Sequence, residues 1–273
     1  MSTSSGEPTS ALYGLSVLVL KLLREQRPSG VAFARDSPRP TFRHEQYAEY
    51  KAGRPEMPDT LRPQWKRLDQ LIAASGGASH VAPGFEADDV IATLAEKLAA
   101  EGGDVTIVSG DRDLFQLVGP RARVLFVGAR GQKPETIDEA AVVARYGVSP
   151  GDLPFLFGLI GEAADNLVGV RGVGVKTAAK LVKAHRTAEN LARDIAEVRP
   201  EGLRESLRDA LDRVITNTRL ARLRGDVPLA EPYVHAIDAG GLDRLKDFFA
   251  SLEFKSLLPR LDALRSANAT IGS

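Results

Sequence analysis

"DVTIVSGDRD", residues 104–113, sets four β-branched residues in a row, Val105 to Val108, and after Ser109 come a glycine and the aspartates at 111 and 113. Branching at Cβ restricts the side chain and favours an extended backbone, so the run reads as a strand that leaves into a turn. Similar short signals recur at "GVAFARD" and "RVLFVG". Between them lie helical patterns: "TSALYGLSVLVLKLLREQRPS", with Leu12, Leu15, Val19, Leu22 and Leu23 in helical register and Pro28 as its stop, and "LRPQWKRLDQLIAASGG", stopped by two glycines. Strands alternating with helices imply an α/β fold with a mostly parallel, twisted sheet flanked by helices. Trp65, at the start of the second helix, is expected in the core.

In such sheets ligands sit beyond the carboxyl ends of the strands. Acidic residues fall at three such places. Asp36 follows "VAF", Glu86, Asp88 and Asp89 lie where "HVAPG" meets its helix in "GFEADD", and Asp111 and Asp113 follow "VTIVSG". Glu162 and Asp165 in "GEAADN" add a further pair. An acid at a helix start also caps free N–H groups and favours the helix dipole, and that reading stays open for any single group. Taken together, eight carboxylates facing one cleft require bound cations or shared protons. Oxygen donors without cysteine or histidine select hard ions, so Mg²⁺ or Mn²⁺ fits and Zn²⁺ does not. Two such ions can activate water and stabilise both oxygens of a phosphodiester displacement.

After about residue 148 the strand signals stop and the chain reads as helices throughout. The expected organisation is an α/β core over 1–148 and a helical subdomain over 149–273. Within the latter, "LVGVRGVGVKTAAKLV" (167–182) places Gly172 and Gly174 before a helix carrying Lys176, Thr177 and Lys180. Glycines allow close backbone approach and expose N–H groups at a helix start, the makings of a phosphate grip that does not read bases. The segment is a helix-hairpin-helix pattern, at about 160–186. From Leu167 to Arg186 there are five Lys or Arg residues and no acid, although the formal net charge of the chain is zero.

A basic, aromatic, proline-punctuated excursion at about 39–67 carries Arg39, Arg43, Lys51 and Arg54 with Phe42, Tyr47 and Tyr50. Rings and charges interleaved in this way suit single-stranded nucleic acid. The alternative is a solvated basic helix. The 273 residues contain no cysteine, so disulfides and thiolate metal sites are excluded. The longest apolar run, "LSVLVL", is too short to cross a bilayer, and the first residues lack a secretory pattern. The expectation is a cytoplasmic monomer without a membrane partner.

These motifs together resemble the 5′-3′ exonuclease and flap endonuclease family, in particular the 5′ nuclease domain at the amino end of bacterial DNA polymerase I. The matching stretches are "GEPTSALYG", "DSPRPTFRHEQYAEYKAGRPEMPDTLRPQ", "GFEADDVIATLA", "VTIVSGDRDLFQLV", "GEAADNLVGVRGVGVKTAAKL", "DVPL" and "SLEFKSLL". The resemblance implies a PIN-like nuclease core with a helical arch at about 39–67. It also implies a metallonuclease acting on DNA with 5′ flaps, nicks or 5′ ends in replication and repair. Asp36, Glu86, Asp88, Asp89, Asp111, Asp113 and Asp165 match positions that hold two metal ions, and Glu162 stands where the family's "GDSSDN" has a shorter aspartate. Lys51 and Arg54 match arch residues that contact the scissile phosphate, so they are the expected catalytic cations. Arg43, Tyr50, Arg112, Gly172, Gly174, Lys176, Thr177 and Lys180 are expected to meet DNA, with a potassium ion at the hairpin. Family members begin with a strand ending in "Asp-Gly", and Met1 falls after that point, so the resemblance implies a sheet short of one strand and a site short of one carboxylate. Two other readings therefore stand beside the nuclease: a module that grips flapped or nicked DNA without cutting it, and the amino-terminal part of a longer polymerase.

Overall fold

The structure is a computed structural model that describes residues 1–38, 40–128 and 132–269; Arg39, one of the expected basic residues of the excursion, lies outside them. In chain order the elements are α1 (Ser10–Gln26), β1 (Ala32–Ala34), α2 (Phe42–Gln46), α3 (Arg62–Ser75), β2 (Ala78–His80), α4 (Ala87–Ala100), β3 (Val105–Ser109), β4 (Ala122–Phe126), β5 (Glu135–Ile137), α5 (Glu139–Tyr146), α6 (Leu153–Ile160), β6 (Gly161–Glu162), β7 (Leu167–Val168), α7 (Val175–His185), α8 (Ala188–Arg193), α9 (Glu201–Ala221), α10 (Ala239–Ser251) and α11 (Leu258–Ala269). By packing, the chain gathers into two units. One unit is Met1–Arg35, Pro55–His80 and Leu229–Ser273, and the other is Asp36–Arg54 and Val81–Pro228.

In the first unit, β1 and β2 pair in parallel, with Ala32 opposite Ala78 and Ala34 opposite His80. The strand before "GFEADD" is thus Ala78–His80 and ends ahead of "VAPG", where Pro83 has no N–H to give a ladder. Leu12 and Leu20 of α1, Leu71 of α3, and Leu242, Leu245 and Phe249 of α10 share one apolar core. Helix α3 buries Gln64, Leu71, Ile72 and Ser75, and Trp65 lies one position off that stripe. Its ring is 45 % exposed, against the expectation of a core residue.

In the second unit β3 pairs with β4 in parallel and β4 with β5 antiparallel. The expected strand over 105–109 is present, so Asp111 and Asp113 do leave its carboxyl end. The parallel pairing expected of the sheet holds for β1 with β2 and β3 with β4, in two separate pieces among the described residues. The helical half is not wholly free of strand. Residues 161–162 and 167–168 form a short antiparallel pair, β6 with β7, that brackets Asp165. A side chain at Gly161 would strike the Gly169 nitrogen at 2.4 Å, so this close crossing needs glycine. Helix α6 is apolar all round and buried from Leu153 to Leu159, with α7 and α9 packed on it. Helix α9 presents Leu207, Ala210, Val214, Asn217 and Leu220 to the core, a stripe at helical spacing. Among the described residues no helix is long and apolar enough to cross a membrane.

Candidate active site

The three acids of "GFEADD" go to three different uses. Glu86 is the N-cap of α4 and Asp89 is its third residue, and each side chain accepts a hydrogen bond from the other's end of the first turn. Asp89 is fully buried. Its Oδ2 accepts from the Glu86 N–H at 3.2 Å and its Oδ1 from the Arg224 N–H at 2.9 Å. Arg43 completes the set, donating through Nη1 to Asp89 Oδ2 at 2.6 Å and through Nη2 to Oδ1 at 2.8 Å. Both Asp89 oxygens are thus engaged by donors within the protein, so the metal role expected of Asp89 finds no open oxygen in this structure. Asp88, one position earlier on the helix, is only partly covered.

Arg43 was expected to meet DNA and is instead 1 % exposed. Besides Asp89 it donates to Glu86 Oε2 at 3.2 Å, to the Leu220 carbonyl at 2.8 Å and to the Arg222 carbonyl at 3.2 Å. Burial works to lower the basicity of its guanidinium, but the Asp89 carboxylate outweighs it and holds the group firmly charged. Arg43 thus ties α2 to the start of α4 and the end of α9. The sequence signal for this role is faint: an arginine in a basic run looks like every other arginine until a buried carboxylate faces it.

Tyr50 and Lys51 also depart from an exposed excursion, at 3 % and 7 % exposure. The Tyr50 hydroxyl reaches Glu86 Oε2 at 3.0 Å and Asp165 Oδ2 at 2.8 Å. Burial and then the two carboxylates push its ionisation above the ordinary phenol range, so it stays a neutral donor. In this structure the ring is buried and presents no face for a base to stack on. Lys51 Nζ donates to Glu86 Oε1 at 2.7 Å and stands 4.0 Å from Asp165 Oδ2. Arg54 Nη2 donates to Asp165 Oδ1 at 2.8 Å. Lys51 has φ of 57°, a left-handed conformation that costs a non-glycine residue about 1–2 kcal/mol. Residues 47–61, between α2 and α3, contain turns and no helix, so the helical character expected of an arch is confined to α2 and the start of α3.

The remaining acids face one another. Burial, followed by the Asp111 charge and then by Glu86 and Asp36, pushes Asp88 up to about 7, with Lys51 opposing. Burial and then Asp111, Asp165, Glu162 and Asp88 raise Asp113 well above the carboxylate range. Glu162 is raised by burial and by Asp165 and Asp111, against a hydrogen bond from the backbone at Ala164 and the Arg112 charge. These couplings join Asp36, Asp88, Asp111, Asp113, Glu162 and Asp165 into one acidic field that Arg54, Lys51 and Arg112 compensate only in part, with Asp36 the most exposed of the six. Two are oriented by the backbone: Asp36 Oδ1 accepts from the Ala87 N–H, and Asp111 Oδ1 from the Asp113 N–H, each at 2.9 Å. In this arrangement no three acidic or histidine side chains among the described residues stand close enough to hold one ion. An all-oxygen donor set with raised proton affinity nevertheless suits a hard divalent cation, which would replace the protons.

The sign of the Asp88 shift gives an expected result. Its folded value lies above the unfolded value near 3.8, so the stability linked to its proton is complete below that value and is lost as pH rises toward about 7. In a chelator, Asp88→Asn should therefore gain melting temperature relative to the parent as pH is raised from about 4 to about 8. Calorimetry showing the same difference at both ends would contradict the crowding.

The hairpin lies between β7 and α7. Gly172 has φ of 78°, which an L side chain rarely adopts, whereas Gly174 has an ordinary φ and serves as the bare N-cap of α7. Val173 between them is buried, and Lys176 and Lys180 project outward, with Thr177 partly covered. The apolar face of α7, Ala178, Ala179, Leu181 and Val182, packs inward. Asn217, which sequence reading passed over, holds the hairpin's entry by donating to the Val168 carbonyl at 3.0 Å. Arg112, exposed between Asp111 and Asp113, has the accessibility that a phosphate contact needs.

Comparison with known proteins supplies the ancestry. Residues 1–147 match the family described as "5'-3' exonuclease, N-terminal resolvase-like domain", and residues 148–241 match "5'-3' exonuclease, C-terminal SAM fold". Thermostable DNA polymerase I of Thermus thermophilus is 38 % identical over 266 residues, 97 % of this chain and 31 % of the relative. DNA polymerase I of Mycobacterium leprae is 38 % identical over 271 residues, 98 % of this chain and 30 % of the relative. The chain thus spans about a third of the length of these polymerases. Among solved structures, T5 5'-exonuclease with bound zinc superposes with a TM-score of 0.67 at 17 % identity, covering 96 % of this chain and 92 % of that one. The catalytic core of Rad2 in complex with DNA substrate superposes with a TM-score of 0.61 at 17 % identity, covering 95 % and 86 %. An acidic field at the carboxyl end of a parallel strand, followed by a glycine hairpin, accords with these matches, and the chain belongs to the 5′-3′ exonuclease family of nucleases.

Proposed function

We propose that the chain is a divalent-cation-dependent 5′ nuclease that hydrolyses DNA phosphodiesters at 5′ flaps, nicks and 5′ ends. The observation that carries this reading is an all-oxygen set, Asp88, Asp113 and Glu162, each held above the ordinary carboxylate range by burial and then by acidic neighbours, with Asp111 acting on all three. Asp88, Asp111, Asp113, Glu162 and Asp165 would hold the cations, with Asp36 at the edge; Glu86 would join only on leaving Lys51. Bound there, a pair of Mg²⁺ or Mn²⁺ ions supplies activation of water and stabilisation of charge on the phosphoryl and leaving oxygens. The chain's own part is to place the phosphate. Lys51 and Arg54 balance its negative charge, and Arg43 and Tyr50 hold the carboxylates in position from beneath. The helical segment with its hairpin grips duplex backbone through N–H groups at the start of α7, through Lys176 and Lys180, and through a potassium ion at the loop. Such contacts carry affinity without sequence preference.

The test is cleavage of a labelled 5′-flap duplex by folded protein with Mg²⁺, with Mn²⁺ and with a chelator. Product in either metal and none with the chelator is expected. Tight binding with an intact flap in both metals would leave the second reading, a flap-gripping module, which the engagement of Glu86 and Asp89 by basic partners favours. Lys176→Ala should weaken duplex binding equally for all sequences and lower the salt slope by about one. A titration with an unchanged slope would remove the hairpin from the interface.

A further inference from the structure

Both side chains assigned to the phosphate are already engaged, Lys51 buried and Arg54 partly open to solvent. Lys51 Nζ is committed to Glu86 at 2.7 Å, and Arg54 to Asp165 at 2.8 Å. The backbone around them is stitched to the same acidic segment. The Lys51 N–H donates to the Asp165 carbonyl at 3.1 Å, Arg54 Nε to the Ala164 carbonyl at 3.3 Å, and Asn166 Nδ2 to the Glu49 carbonyl at 2.9 Å. Lys51 reaches this position only by taking a left-handed backbone, a strained choice for a lysine. Its ammonium stands where positive charge is most needed, between Glu86 and Asp165, and its field also reaches Asp88. That one ammonium is divided between two carboxylates, 2.7 Å from Glu86 Oε1 and 4.0 Å from Asp165 Oδ2. A divalent cation compensates more charge at the same oxygens.

We propose that the Tyr50–Arg54 turn is a cation-released latch: without metal, Lys51 and Arg54 serve as the counter-ions of Glu86 and Asp165, and a divalent cation displaces them and frees them for a phosphate. The inference rests on the metal reading above and adds an order of events to it. The basic pair becomes available to DNA only once the acidic site is loaded, so an unloaded site is closed by its own catalytic cations. Reciprocity follows: whatever holds Lys51 on Glu86 must weaken metal uptake, and metal must weaken the latch.

The experiment uses the whole chain without DNA. Isothermal titration with Mg²⁺ measures uptake by the parent, by Lys51→Met, which keeps the stem and removes the charge, and by Lys51→Arg, which keeps the charge. Circular dichroism checks that each is folded. Lys51→Met is expected to take up Mg²⁺ more tightly, on the order of tenfold, and Lys51→Arg is not. In parallel, amide hydrogen exchange of the parent should speed up over residues 47–54 on adding Mg²⁺, while α4 stays protected. Uptake that is equal or weaker in Lys51→Met, or exchange over 47–54 that is unchanged or slowed by Mg²⁺, overturns the latch and leaves the metal site standing. Absence of uptake in all three proteins overturns the metal reading itself, and the latch with it.

Discussion

Arg43→Ala is expected to cost about 3–5 kcal/mol of folding free energy, because it strands a buried carboxylate without its cation. Asp89 is fully buried and accepts four hydrogen bonds, two of them from Arg43. Removing the guanidinium also strips donors from the Leu220 and Arg222 carbonyls at the end of α9. Lysine at the same position should recover only part of the loss, since one ammonium cannot span two carboxylate oxygens and two carbonyls in the plane of a fork. Urea unfolding followed by far-ultraviolet circular dichroism measures both variants. An Arg43→Ala protein within about 1 kcal/mol of the parent would show that the knot is not what holds α2 to α4 and α9.

The largest effect on chemistry is expected at the turn after β3. Asp113→Asn should lower flap cleavage about a thousandfold, the loss of roughly 4 kcal/mol of transition-state stabilisation when a cation is no longer held. Its affinity for the same DNA should be kept or improved, because a carboxylate that repels phosphate has gone. The metal-free variant should also be more stable than the parent, since a carboxyl raised first by burial and then by its acidic neighbours no longer has to ionise. The three readouts separate a ligand from a scaffold residue, which would lose binding and stability along with rate. Cleavage within about tenfold of the parent would remove Asp113 from the site.

Much of the architecture was legible along the chain because its causes are local. The β-branched run at 105–108 made a strand and the glycine after it made a turn, so the acids at 111 and 113 could be placed at a strand's carboxyl end before any tertiary contact was known. The hairpin was equally local. Gly172 needs its positive φ and α7 starts where the lysine-bearing pattern says it does. Trp65 shows the limit of composition alone: a tryptophan reads as core, but only its phase relative to Gln64 and Leu71 decides the matter, and that phase turns it outward.

Acid content, the end of the strand at 105–109 and the glycine hairpin were therefore determined by the sequence by itself, and with them the family. What only the tertiary structure decided is which acid meets which partner. Successive residues at the start of α4 are turned by about 100° around its axis, so Asp88 looks into the acidic field while Asp89 looks into the protein. The guanidinium that meets Asp89 comes from 46 residues away. Spacing along a chain carries no record of such a pairing, and so Arg43 and Tyr50, which look like a nucleic-acid surface in the sequence, become the buried supports of the site once the chain has folded.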